Sequence, residues 1–249
     1  MSTEDGALTA SVSAPSVDTS LGLKLLPAVL SLTAGSVDVI SFLGLGGLFT
    51  AHITGNLVIL ASRIVTGGEA PIAPMISVPV FILALGLTRL LVGGLEAIGL
   101  ASLRPLLLLQ LMLLAGFLTL CVAAGPSIEP SAATAILAGM LGVSAMAVQN
   151  ALVQVSLKGA PSTAVMTTNI TRFMMDVGEV LLGHDPDSVT KARRRVNHTW
   201  PAIIGFAVGC GVGAVCEAAF RLWSLALPVG LALLALALSL TSRREETIG

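Results

Sequence analysis

"GSVDVISFLGLGGLFTAHITGN", residues 35–56, decides how this chain folds. It begins as a segment suited to the interior of a lipid bilayer, then gathers Gly46, Gly47, Thr50, His52, Thr54, Gly55 and Asn56 within a dozen positions. Backbone groups freed from a helix in hydrocarbon need partners inside the protein. The stretch therefore reads as a place where the chain breaks or turns while shielded from lipid.

What surrounds it is membrane-like. Of 249 residues, 55% are apolar and 11% charged, against about 25% charged in an ordinary soluble domain. Mean hydropathy is +0.94. Runs long enough for the ~20 residues of a spanning helix lie at 24–48, 74–98, 105–125, 132–156, 199–220 and 222–240, and two interrupted ones lie at 51–66 and 163–182. The expected fold is an all-α polytopic membrane protein of six to eight segments, with interrupted or half-helices at about 45–66 and 159–182.

A net charge of -1 offers no general attraction to nucleic acid. Position matters more. On an eight-span count, Lys24, Arg63, Lys191, Arg193, Arg194, Arg195, Arg243 and Arg244 share the N-terminal side, and Arg104, Lys158 and Arg221 the other. The positive-inside rule then puts both termini in the cytoplasm. "KARRR" at 191–195 reads as a topology signal rather than a lipid or nucleic-acid patch. Residues 1–22 have no Lys or Arg, which excludes the charged n-region of a signal peptide, and they read as a disordered cytoplasmic tail, matched by a short tail over 243–249. Cys121, Cys210 and Cys216 lack metal or redox spacing and read as small buried hydrophobes.

The chain also repeats itself. Set over "MAVQNALVQVSLKGAPSTAVMTTN" (146–169), the opening stretch places Asp38 on Asn150, Gly47 on Gly159, Thr50 on Thr163, and Thr54-Gly55-Asn56 on Thr167-Thr168-Asn169. The following spans, 79–98 and 201–220, both start at proline and end near a glutamate, Glu96 or Glu217. Two membrane repeats follow, 23–126 and 127–242. Duplicated halves are a plan of secondary transporters, in which paired interrupted segments mark the substrate site. Parallel and inverted repeats both fit.

These two segments resemble the signatures of the YoaK-like family of uncharacterised bacterial inner-membrane proteins. Gly35, Asp38, Phe49, Thr54, Gly55, Asn56, Gln149, Asn150, Thr167 and Asn169 match its pattern. Thr168 departs from it, standing where a glycine is expected, which speaks against a tight turn there. The resemblance implies a multi-pass protein of the bacterial cytoplasmic membrane and brings no substrate.

An ionisable residue in a span costs roughly 2.5–3.5 kcal/mol on insertion scales, so each needs a partner or a purpose. Asp38 shares a narrow polar stripe with Ser31, Gly35 and Ser41 and must face the bundle interior. It reads either as an ion-coupling carboxylate or as an interhelical hydrogen-bond acceptor. Asn169, Arg172, Asp176 and Glu179 fall on one helical face, with Arg172 and Asp176 spaced to pair. Arg89 and Glu96 share a face of the third span, and Gly205, Gly209 and Gly213, with Gly86 and Gly93, read as helix-packing glycines.

The candidate solute site is Thr50, His52, Thr54, Gly55, Asn56, Asn150, Thr167, Thr168, Asn169 and Arg172, with Asp38 and Asp176 as coupling residues. The two T-x-N turns are expected to meet at the centre of the protein. No motif of a nucleophile with its base is present, so the chain reads as a non-enzyme without cofactor or metal. The expected activity is that of a transporter or permease for a small polar or anionic solute. Its partners are the lipid bilayer, the solute and a homo-oligomeric copy, with no nucleic acid. The alternative is a structural or regulatory membrane protein that moves nothing.

Overall fold

The computed structural model describes residues 21–67, 71–125 and 129–246. In chain order they form α1 (Leu21–Gly44), α2 (Ile53–Val65), α3 (Ile72–Ala97), α4 (Leu103–Ala124), α5 (Ala133–Ser156), α6 (Met166–Leu182), α7 (Pro186–Phe220), a 3-10 turn (Arg221–Leu225) and α8 (Ala226–Glu246). Of the tail expected over 1–22, residues 1–20 lie outside the described residues and the last two already belong to α1. α8 likewise continues to Glu246, and only 247–249 of the expected C-terminal tail lie outside the described residues.

Among the described residues, five stretches are long and apolar enough to cross a membrane: Lys24–Gly44, Ile72–Ala97, Leu103–Ala124, Ala133–Ser156 and Pro186–Thr241. The last holds two helices, because the chain reverses at Arg221, whose φ of 53° is sterically unusual for a residue with a Cβ. The long helices are therefore α1, α3, α4, α5, α7 and α8. This bears out the all-α polytopic expectation at the lower end of its range, since α2 has 13 residues and α6 has 17.

Helix directions follow from which residues meet. Gly205, Gly209 and Gly213 of α7 lie against Ala28, Leu32 and Ser36 of α1, rising together, so α1 and α7 are parallel. A Cβ at any of the three would run into α1, as the packing reading of these glycines expects. By contrast, a Cβ at Gly86 meets nothing within 4 Å and one at Gly93 only Arg89, so among the described residues no facing helix packs closely on these two. Helix α5 runs antiparallel to α1: Gly139 sits beside Leu45 and Leu48, while Gln149 reaches the Leu30 carbonyl. Helix α4 starts at the foot of the bundle, where Ser102 bonds Ser156 and Arg104 bonds the Ser239 carbonyl.

The neighbours form a matched set. α1 packs on α7 as α5 packs on α3, α1 on α8 as α5 on α4, and α2 on α3 as α6 on α7. The two most enclosed spans are α1 and α5, buried over 67% and 72% of their apolar windows, against 17% for α3. They carry the polar residues that organise the interior.

Neither short helix makes a full crossing of its own. α2 begins at the depth of Asp38 and leaves by the end from which α3 enters, while α6 begins at the depth of Gln149 and leaves by the opposite end. This changes which end several charges occupy. Arg104 and Lys158 lie at the same end as Lys24 and the "KARRR" run, and Arg63 joins Arg221 at the other. The eight-span placement of Arg63, Arg104 and Lys158 is thereby corrected, because the two extra crossings it assumed are half-helices. The charge asymmetry becomes steeper.

Candidate functional site

Asp38 sits on the inner face of α1, 3% exposed, as its stripe with Ser31 and Ser41 requires. Its Oδ1 accepts from the backbone N–H groups of Thr50 and Ala51, both at 2.8 Å, and His52 at 3.4 Å. Its Oδ2 lies 2.6 Å from His52 Nδ1. A buried carboxylate is tolerated only when protein donors replace its water, and here the loop supplies them. Because an ionised carboxylate only accepts, the imidazole proton belongs on Nδ1, and Nε2 becomes the nitrogen that gains or loses a proton.

Two further contacts close this loop. Ser41 Oγ lies 3.3 Å from Thr50 Oγ1. Asn56, fully buried, treats Phe49 as a strand partner: Phe49 N–H donates to its Oδ1 at 2.9 Å, and its Nδ2 donates to the Phe49 carbonyl at 2.7 Å. The same Nδ2 donates to Ser77 Oγ on α3 at 2.8 Å. Both amide hydrogens and one lone pair are spent on protein groups, so Asn56 holds the loop. Gly46 and Gly47 have φ of 67° and 91°, values that favour glycine, as the chain turns down from the end of α1.

The second loop is held by different residues at the same spacing. Asn169 Nδ2 donates to the Ser162 carbonyl at 2.6 Å, seven residues back, as Asn56 does to Phe49. Thr163 Oγ1 accepts from Gln149 Nε2 at 2.8 Å, and Gln149 also accepts from Gln110 Nε2 at 2.7 Å. Gln149 is the anchor that the candidate list missed. Asn150, chosen in its place, donates only to the Met146 carbonyl of its own helix. The signal was a Gln-Asn pair on an apolar helix; one residue is a 100° turn, and packing on α1 and α4 selects Gln149.

The candidates gather into two groups rather than one. A cavity of about 540 Å³ between α1, α2 and α7 is lined by Asp38, Phe42, Phe49, His52, Thr54, Gly55, Phe206 and Cys210, among others. The His52 ring meets Phe206 edge-on, centroids 5.3 Å apart. A second cavity of about 500 Å³ holds Asn169, Arg172 and Asp176 with Lys158, Arg194, Arg195 and His198. No residue lines both. The expected single site between the T-x-N turns is thus divided, because each turn folds back on its own anchor. Thr50 is buried against Ser41, and Thr167 and Thr168 are exposed on the first turn of α6.

The expected Arg172–Asp176 pair is also replaced. Asp176 accepts from Arg195 of α7, Nε at 2.8 Å, in a two-pronged contact. A guanidinium from a facing helix offers a forked geometry that an i, i+4 neighbour does not match here. Arg89 and Glu96 do approach, at 3.9 Å, on the exposed face of α3.

Long apolar helices, with two shorter ones that begin inside the bundle and a cavity beside each, define a polytopic α-helical membrane protein. The family described as "Protein of unknown function (DUF1275)" matches residues 26–238, and this chain belongs to it. It is similar to the UPF0700 transmembrane protein YoaK of Bacillus subtilis (strain 168), 56% identical over 39 residues. That match spans 16% of this chain and 17% of the relative. Together they bear out the YoaK-like resemblance. No solved structure matches the chain.

Proposed function

We propose that this protein is a transporter or permease of the bacterial cytoplasmic membrane for a small polar or anionic solute, and not an enzyme. The observation that carries this reading is that α2 and α6 begin inside the protein, each after a loop anchored to a buried polar side chain. Half-helices that start in the interior aim unpaired N–H groups and the positive end of the helix dipole at a site near mid-membrane. The matched neighbour pairs and the antiparallel α1 and α5 support two copies of one unit in inverted orientation. Steeper charge asymmetry supports a cytoplasmic location for the end that carries Lys24 and 191–195.

In this reading the α1–α2–α7 cavity receives the solute, with His52, Thr54 and Gly55 as its polar contacts and Phe42, Phe49 and Phe206 as apolar walls. The Asp38–His52 pair is the coupling element: a proton gained at His52 alters the charge that Asp38 and the loop must balance. Flux in proteoliposomes under an imposed pH gradient, over a panel of small acids, amines and sugars, tests it. Gradient-driven uptake by the native protein, abolished in a folded Asp38→Asn variant, is expected. Absence of uptake across the panel favours the second reading, a structural or regulatory protein. The amides of Asn56, Asn169 and Gln149, all bonded within the protein, speak for that alternative.

A further inference from the structure

The cavity between the end of α5, α6 and α7 is strongly cationic. Lys158, Arg172, Arg194 and Arg195 line it with His198, and Asp176 is its one carboxylate. Arg195 is committed to Asp176. Among the described residues, Lys158, Arg172 and Arg194 have no carboxylate within 4.0 Å. Three permanent cations from three separate elements thus converge on one hollow whose single lining carboxylate is already engaged by Arg195. Its buried floor is Pro161 and Asn169, and its rim lies at the end of the molecule that carries Lys24 and Arg104.

We propose that this cavity binds a phosphate-class oxyanion, either the headgroup of an anionic phospholipid or a free phosphate or phosphomonoester. Two guanidinium groups and an ammonium present forked and point donors to a group with several charged oxygens, which a single carboxylate does not match. The volume of about 500 Å³ falls in the range of small-molecule sites, ~300–1,000 Å³, so the anion enters with the group that bears it. Basic pockets between helices at a membrane surface are suited to lipid phosphate. The "KARRR" run is then more than a topology signal: Arg194 and Arg195 face the cavity, while Arg193 does not line it.

This inference is independent of transport, because it concerns occupancy and not flux. The test uses the full-length protein in two arms. In phosphatidylcholine nanodiscs, inorganic phosphate and glycerol phosphate are titrated by calorimetry. In nanodiscs that mix phosphatidylcholine with phosphatidylglycerol, lipid retained by the protein is counted by native mass spectrometry. Arg172→Gln and Arg194→Gln are each expected to weaken binding about tenfold or more, the loss for one charge-assisted contact. Arg193→Gln, with the same net charge change, is expected to leave binding unchanged, and melting curves confirm that each variant is folded. Binding in the first arm with this pattern identifies a free phosphate, and retention in the second with this pattern identifies a lipid headgroup. No binding in either arm, or equal loss in Arg193→Gln, overturns the proposal.

Discussion

The loop over α1 and the loop over α5 solve one problem with different chemistry. Both fold back into the bundle, both end at a half-helix, and in both an asparagine reaches a backbone carbonyl seven residues earlier. The first is gripped by a carboxylate through three backbone N–H groups and an imidazole, the second by a neutral glutamine through a threonine hydroxyl. Beside the first lies a mostly apolar hollow with one acid–histidine pair, and beside the second a cationic one. The shared asparagine bond belongs to the scaffold. What differs between them is the charge of the anchor and the partner it takes.

The largest expected effect separates the anchors. Asp38→Ala leaves three loop N–H groups and His52 without an acceptor and should cost about 3 kcal/mol or more, whereas Gln149→Ala, losing neutral bonds, should cost about 2 kcal/mol. Thermal unfolding in detergent ranks them, and a milder Asp38→Ala would break the contrast. The asparagines come next. Asn56→Ala removes three bonds and is expected to destabilise by about 2–3 kcal/mol, against about 1 kcal/mol for Asn169→Ala, whose one bond to oxygen is lost. Equal losses would mean that the two bonds Asn56 makes beyond the shared one, from Phe49 N–H and to Ser77, contribute nothing.

The smallest effect lies at the start of α7. Asp185 caps α7, accepting from the Ser188 hydroxyl and the N–H groups of Ser188 and Asp187, and these hold its carboxyl below the usual aspartate value. A lowered folded-state pKa means that the cap's contribution is complete above the unfolded value of about 3.9 and is lost as pH falls through the folded one. Protection from hydrogen exchange at residues 187–190, measured against the intrinsic rate at each pH, should therefore fall on acidification below about pH 4. In Asp185→Asn that fall should be absent.

Much of the fold was legible because long apolar helices write themselves as uninterrupted runs. All six long helices overlap the segments read from hydropathy, and the stripe through Ser31, Asp38 and Ser41 is buried as its period demands. The depth of the interrupted segments was not legible. It depends on Asp38 reaching residues 50–52 and Gln149 reaching Thr163, contacts that no local pattern encodes. The Arg195–Asp176 pair was hidden for the same reason, since a nearer cation at Arg172 satisfied the spacing rule while α7 supplied the actual partner. Gly86 and Gly93 matched a packing pattern, yet α3 turns that face outward, and hydropathy does not say which side of a helix meets protein.

Helix α7 is the one element that both hollows share. Its 35 residues run without a break from Pro186, about 18 Å beyond the start of α1, past Arg194, Arg195 and His198 to Phe206 and Cys210. Between them stands Pro201, which removes one rung of the helix and makes bending cheapest there. A tilt about that joint would displace Arg194 and Arg195 and leave Gly205, Gly209 and Gly213 in contact with α1.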